Sequence, residues 1–139
     1  MILVDTSVWI DHLHRSEPEL VAMLAVDEVG CHPLVIEELA LGSIKERATV
    51  LDSLASLRQF PALTHDEVLT LVDKRQLWGR GMSTVDVHLL GSVALVGGAQ
   101  LWTRDKRLAQ ACRDVGVALV TLQRSAQNRL VRPPSTMST

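Results

Sequence analysis

Ile2-Leu3-Val4-Asp5-Thr6-Ser7 opens with three apolar residues, two of them β-branched, and ends on an acid and two hydroxyls. An unbroken apolar run of this length predicts a strand buried on both faces, as in a parallel sheet. Thr6 or Ser7 can cap a helix from about Val8 to His14, in which Trp9 and Leu13 share a face at i, i+4. The same unit returns late in the chain. Gln100-Leu101-Trp102-Thr103 reads as a strand, and Asp105 opens a helix to Val115 that Gly116 stops.

Between these two units, strands and helices alternate. Pro18 suits the first turn of a second helix with Leu20, Met23 and Leu24 inward, and Val29-Gly30-Cys31-His32 reads as a strand. Pro33 then opens a helix bearing Glu37 and Glu38, ended by Gly42, and Lys45 to Leu57 has helical spacing. Phe60-Pro61-Ala62-Leu63 is a connector or edge strand. Thr64 and Glu67 form a capping box for a helix reaching about Trp78, and Gly79-Arg80-Gly81 is a loop. Ser83 opens a helix through Val96, and Val117-Ala118-Leu119-Val120 is the last strand. The expected architecture is α/β, a parallel sheet covered on both faces.

The 139 residues, 47% of them hydrophobic, suffice for one domain over residues 1–123, with a loose Ser/Thr/Pro tail over 124–139. No apolar run could span a bilayer, and no secretory signal is evident, so a cytoplasmic location is expected. Cys31 and Cys112 lack metal-type pairing and read as buried small hydrophobes. The net charge of −2 excludes a polycation. Its distribution is uneven: residues 1–70 carry 4 Lys/Arg against 12 Asp/Glu, and residues 71–139 carry 10 against 4. A basic surface beside an acidic pocket fits this, and so does a solvated face with no partner.

Ligands of open α/β sheets bind beyond the carboxyl ends of the strands. Asp5 and Asp105 fall there, and Glu38 and Asp86 lie near the starts of helices that can face the same edge. Four converging carboxylates repel one another, and a hard divalent cation offsets that repulsion. Oxygen-only ligands favour Mg²⁺ or Mn²⁺ over Zn²⁺. Each acid also has a purely structural reading. Asp5 and Asp105 can cap helices, Asp86 completes a capping box with Ser83, and Glu38 can be a solvated position.

The ordered set Val4-Asp5-Thr6-Ser7, Glu38-Leu39-Ala40-Leu41-Gly42, Ser83-Thr84-Val85-Asp86-Val87 and Leu101-Trp102-Thr103-Arg104-Asp105 resembles the PIN-domain proteins. In size and layout the chain is similar to the VapC toxins of VapBC toxin–antitoxin pairs, from Ile2 to about Val120. The resemblance implies a three-layer α/β/α sandwich and metal-dependent endoribonuclease activity. It makes Asp5, Glu38, Asp86 and Asp105 the Mg²⁺- or Mn²⁺-binding catalytic acids. Glu37 is set aside because the Leu-x-x-Gly segment follows Glu38. Thr6 and Thr103 match hydroxyls that orient the acids or a water. The resemblance further implies an RNA substrate, a VapB-type antitoxin laid in a groove around Trp9, Leu13 and Leu20, and a homodimer. His88 departs from the pattern, which usually has a small or apolar residue there, and Trp102 is bulkier than usual.

Arg80, Arg104, Lys106 and Arg107 flank Asp86 and Asp105 and are the candidate phosphate contacts, with ordinary surface charge as the alternative. Trp78 can stack on an unpaired base, although packing at a helix end is the commoner use of an aromatic. The five histidines lack metal spacing and read as surface or packing residues. Among rivals, a receiver domain needs an acidic pair at the first strand and a late strand-end Lys, and neither is present. A haloacid-dehalogenase-type phosphatase needs Asp-x-Asp, and position 7 is Ser. A non-catalytic PIN-like binding module would not need all four acids.

Overall fold

The structure, a computed structural model, describes residues 1–121. The tail expected from Arg124 onward and the end of the expected domain lie outside them. The elements in chain order are β1 (Ile2–Val4), α1 (Thr6–His14), α2 (Pro18–Ala25), β2 (Val29–Cys31), α3 (Pro33–Ala40), α4 (Arg47–Ser56), β3 (Arg58–Gln59), α5 (His65–Arg75), α6 (Thr84–Ala94), β4 (Gln100–Trp102) and α7 (Lys106–Val115). The four strands form one sheet in the order β3-β2-β1-β4, and every pairing is parallel. Among the described residues, seven helices flank it, in keeping with the three-layer expectation.

The sheet is narrow, and its centre is dry. Leu3, Val4 and Leu101 have no exposed surface, and Leu20, Leu89, Leu90 and Leu108, on three helices, are as deeply buried. Each such side chain contributes about 1.5–3 kcal/mol on burial. A helix cap contributes about 1 kcal/mol. The apolar centre therefore stabilises the fold, and the caps decide where helices begin. Gly30 in β2 is required by a close approach, because a Cβ there would lie 2.6 Å from the Phe60 ring.

Three segments differ from the expectation. The edge strand is Arg58–Gln59, which was not expected, and of the two readings of Phe60–Leu63 the connector holds. Both its residues are exposed, so no apolar signal marks it. The helix expected to reach Trp78 stops at Arg75, where Gln76 turns left-handed with φ 54°. The last strand reduces to one parallel bridge, Leu101 to Leu119, with backbone bonds from Leu101 N to Ala118 O and from Val120 N to Leu101 O. No helix among the described residues is long and apolar enough to cross a membrane.

The topology creates one special edge. From β1 the chain moves outward to β2 and β3, then returns to place β4 on the other side of β1. The β1–β4 boundary is therefore a switch point, where the helices leaving the two strands diverge and leave a crevice.

Candidate active site

Register carries Asp5 to that crevice. Val4 pairs with Trp102, and the Asp5 N–H continues the ladder by donating to Trp102 O at 2.8 Å. The chain then turns into α1 with Asp5 as its N-cap, and Asp5 Oδ1 accepts from Thr6 N at 2.8 Å. Its other oxygen, Oδ2, accepts from the Ser7 hydroxyl at 2.9 Å and the Thr103 hydroxyl at 2.7 Å. Three donors thus fix a carboxylate that is only 5% exposed.

Thr103 links the two strand-end acids. While donating to Asp5, its Oγ1 accepts from the Asp105 N–H at 3.0 Å. Asp105 in turn caps α7, with Oδ1 accepting from Arg107 N and Leu108 N. On the other flank, the Thr6 hydroxyl donates to Glu38 Oε1 at 2.6 Å, across 32 positions of sequence. Helix α3 packs on α1, which holds Glu38 at this distance.

Asp86 arrives by the capping box at the start of α6. Its Oδ2 accepts from Ser83 N at 3.0 Å, and its own N–H donates to Ser83 Oγ at 3.1 Å. Burial raises the Asp86 carboxyl above its ordinary value, and the charges of Asp105 and Asp5 add to the rise against the lowering effect of the Ser83 N–H. Like charge at Asp86 thus registers its nearness to both strand-end acids. The Cys112 thiol, under the same cluster, is pushed up to about 12, first by burial and further by Asp5 and Asp86. Cys31 is likewise raised to about 11 by burial, so both cysteines are inert and interior.

The capping readings of Asp5, Asp86 and Asp105 and their reading as a cluster are compatible. Capping holds each carboxylate back against the first turn of its helix, and all three helices begin at this edge. An all-oxygen donor set and a carboxyl raised by burial, and further by neighbouring acids, suit a hard divalent cation, which would relieve the repulsion. Among the described residues, no three His, Cys, Asp or Glu side chains already converge as a ready cage. The caps tie up oxygens of Asp86 and Asp105, so closing around a cation requires side-chain rotation there.

The four basic candidates divide. Arg104 is spent internally: its Nη1 bonds Asp11 and its Nη2 bonds Glu17, which staples the β4–α7 turn to α1 and the start of α2. Burial opposes charge on Arg104, and these two carboxylates more than offset it, leaving the group raised. Arg80 pairs with Asp114 at 2.6 Å. Lys106 and Arg107 are exposed at the start of α7, beside Asp105. Arg107 also leans over the next loop: a Cβ at Gly81, where φ is +77°, would meet its Nη1 at 2.9 Å.

Two further residues act here without having been singled out by sequence reasoning. Ser7 donates to Asp5 and accepts from Arg104 N at 3.2 Å, so it holds both strand ends. The acid–hydroxyl–hydroxyl order of residues 5–7 was its signal. His32 is wholly buried and caps α3, with Nδ1 accepting from Leu34 N at 3.0 Å. Its ring meets His88 edge-on at 6.1 Å between centroids. Burial, then the neighbouring His88, lowers His32 to about 4. Pro33 at the first helical position marked residue 32 as a cap. Trp9 and Leu20 prove to be core, and the exposed apolar residues on α1 and α2 are Ile10 and Val21.

Comparison with known proteins agrees with this layout. The PIN domain family profile matches residues 2–114. The chain is 71% identical over 119 residues to "Ribonuclease VapC32" from Mycobacterium tuberculosis strain CDC 1551 / Oshkosh and from strain ATCC 25618 / H37Rv. That alignment covers 86% of this chain and 96% of each relative. Among solved structures, PAE2754 from Pyrobaculum aerophilum superposes with a TM-score of 0.56 at 22% identity, covering 95% of this chain and 97% of the other. FitAcB from Neisseria gonorrhoeae superposes with a TM-score of 0.54 at 19% identity, covering 87% and 97%. These two support the fold alone. On the family match and the close relatives, the chain belongs to the PIN-domain family.

Proposed function

We propose that the protein is a metal-dependent endoribonuclease that hydrolyses RNA phosphodiester bonds and serves as the VapC-type toxin of a toxin–antitoxin pair. The observation that carries the chemistry is the hydrogen-bonded chain Asp105–Thr103–Asp5 at the β1–β4 switch point, flanked by Thr6–Glu38. The biological setting rests on the 71% identity to relatives named as VapC ribonucleases.

In this reading Asp5, Glu38, Asp86 and Asp105 hold Mg²⁺ or Mn²⁺. A cation bound there supplies charge neutralisation at the scissile phosphate and an acidified water. The chain's own contribution is orientation. Thr103 sets Asp5 against Asp105, Ser7 holds the second oxygen of Asp5, and Thr6 aims Glu38. Lys106 and Arg107 meet flanking phosphates. Arg104 keeps the turn closed and takes no part in RNA contact, and Arg80 contributes only to the extent that phosphate competes with Asp114.

A VapB-type antitoxin and a homodimer complete the proposal. Ile10 and Val21 give α1 and α2 an outward apolar surface for a partner helix. The cytoplasm, where RNA is present and thiols stay reduced, is the proposed location. The decisive experiment incubates purified protein with RNA, with Mg²⁺ or Mn²⁺ and with EDTA, beside Asp5→Asn. Cleavage that needs metal and is lost in the variant is expected. Cleavage in EDTA, or at full rate by Asp5→Asn, would refute the assignment.

A further inference from the structure

Trp78 is 62% exposed, whereas Trp9 and Trp102 are 5% and 3% exposed. Packing at the helix end does not account for it. Its neighbour Leu77 takes that role, being 3% exposed with its N–H donating to Val72 O at 3.0 Å. Two residues further on, Arg80 ties the loop to α7 through Asp114, and Gly81 lies under the Arg107 guanidinium. The loop is thus pinned on both sides of the indole. Left-handed backbone at Gly79 (φ 72°) and Gly81 (φ 77°) makes the tight course possible.

The indole stands at the rim of a cleft of about 470 Å³ between α5 and this loop. Val68, Val72 and Leu77 give it apolar lining, and Ser83 and Thr84 form part of its wall. That wall is the start of α6, whose Ser83 N–H holds Asp86. The cleft therefore opens within one helical turn of the acid cluster. Arg80, paired with Asp114, lines the cleft, and Arg107 leans on Gly81, so two guanidinium groups border the loop, one of them already engaged.

An apolar slot with an aromatic rim, cationic neighbours and direct continuity with a phosphodiester-cleaving site matches one ligand chemistry. A flat, uncharged ring on an anionic backbone satisfies all of it. We infer that the cleft between α5 and the Leu77–Met82 loop receives one unpaired nucleobase of the RNA substrate, stacked on Trp78, next to the bond that is cut. The inference rests on the ribonuclease reading and adds a specificity pocket to it. An already unpaired base is favoured there, because extruding a paired base costs the energy of its pairing and stacking.

The test uses tryptophan emission, which is informative because Trp78 alone of the three indoles is exposed. Folded Asp5→Asn protein is titrated with short homopolymer oligoribonucleotides of each base and with an abasic ribose-phosphate oligomer of equal length and charge. Base-bearing oligomers are expected to quench emission and the abasic one to leave it nearly unchanged. Trp78→Ala in that background should weaken binding about 10-fold, and Trp78→Phe should restore most of it. In the active protein, Trp78→Ala should spread or shift the cut positions. Equal quenching by the abasic oligomer, or unchanged affinity and cut positions in Trp78→Ala, overturns the inference. So does emission that changes with protein concentration alone, which would make the patch a contact between copies. Cleavage by the wild type without base-dependent quenching keeps the nuclease reading and rejects the pocket. Base-dependent quenching without cleavage keeps the pocket and rejects the nuclease.

Discussion

Asp5 and Asp105 are held differently from Glu38 and Asp86. The first two stand at the ends of adjacent parallel strands, and one hydroxyl, Thr103, bonds to both residues. The second two ride on helices, and each is held near the crevice by one hydrogen bond from another residue: Thr6 to Glu38, across 32 positions, and the Ser83 N–H to Asp86. Sheet register fixes the strand-end pair, because a slip would move every side chain to the other face. The helix-borne pair depends on how α3 and α6 pack. The contrast separates a half of the site preset by the sheet from a half adjusted by helix packing; in each, one acid, Asp105 or Asp86, caps a helix and would have to turn to meet a cation.

Substitution of Asp5 gives the harshest test of that division. Asp5→Asn should abolish RNA cleavage, by more than the roughly 100-fold that loss of an orienting partner costs, while the melting temperature stays within a few degrees. Asparagine caps a helix about as well as aspartate, so the fold has no reason to fail. Thr103→Ala should lower activity about 10- to 100-fold, with Thr103→Ser recovering most of it. Thr6→Ala should cost less, because Glu38 is solvent-exposed and has water as an alternative partner. If Thr6→Ala proves the more damaging of the two, the preset half has been misassigned.

Stability measurements sharpen the contrast from the other side. The raised Asp86 carboxyl binds its proton more tightly in the folded chain than in the unfolded one. Its favourable contribution is therefore present at low pH and lost as pH rises through the folded value. At neutral pH the charge burdens the fold, so Asp86→Asn should raise the melting temperature while lowering activity. His32 works in the opposite sense. Its folded value, about 4, lies below the ordinary 6.5, so the unfolded chain takes up the proton first as pH falls. Stability should decline from about pH 6.5 toward 4, with a limiting slope near ~1.4 kcal/mol per pH unit. Denaturation at several pH values should show this slope in the wild type and its reduction in His32→Asn, which keeps a cap and removes the titrating ring.

The smallest expected effects are on salt dependence. Lys106→Ala or Arg107→Ala should flatten the salt dependence of RNA binding by about one unit of slope each. Arg104→Ala should instead lower stability and leave the slope unchanged, since its guanidinium is committed to Asp11 and Glu17. A flatter slope in Arg104→Ala would show that phosphate reaches it despite those partners.

Legibility from sequence followed the same division. The strand-end acids and both capping boxes could be read, because an apolar run ending on Asp, or Ser and Thr three residues before Asp and Glu, is a local signal. Arg58–Gln59 could not, since an edge strand of two exposed polar residues has no period to detect. Gln76 ends α5 in a left-handed conformation with no glycine to announce it. The commitment of Arg104 was hidden because its partners lie 93 and 87 positions away. The contact of His32 with His88 was hidden for the same reason, as it joins the start of α3 to α6 through tertiary packing alone.

Asp5 and Asp105 each begin a helix as well as carrying charge into the crevice. An aspartate codon becomes an asparagine codon by one base change, and at a helix start the two residues are nearly interchangeable. On the proposed assignment of these acids, loss of cleavage is a single genetic step with almost no conformational penalty. On that assignment, full-length, folded, antibody-reactive copies of the gene product would accumulate without cleaving RNA, and their abundance would say little about activity.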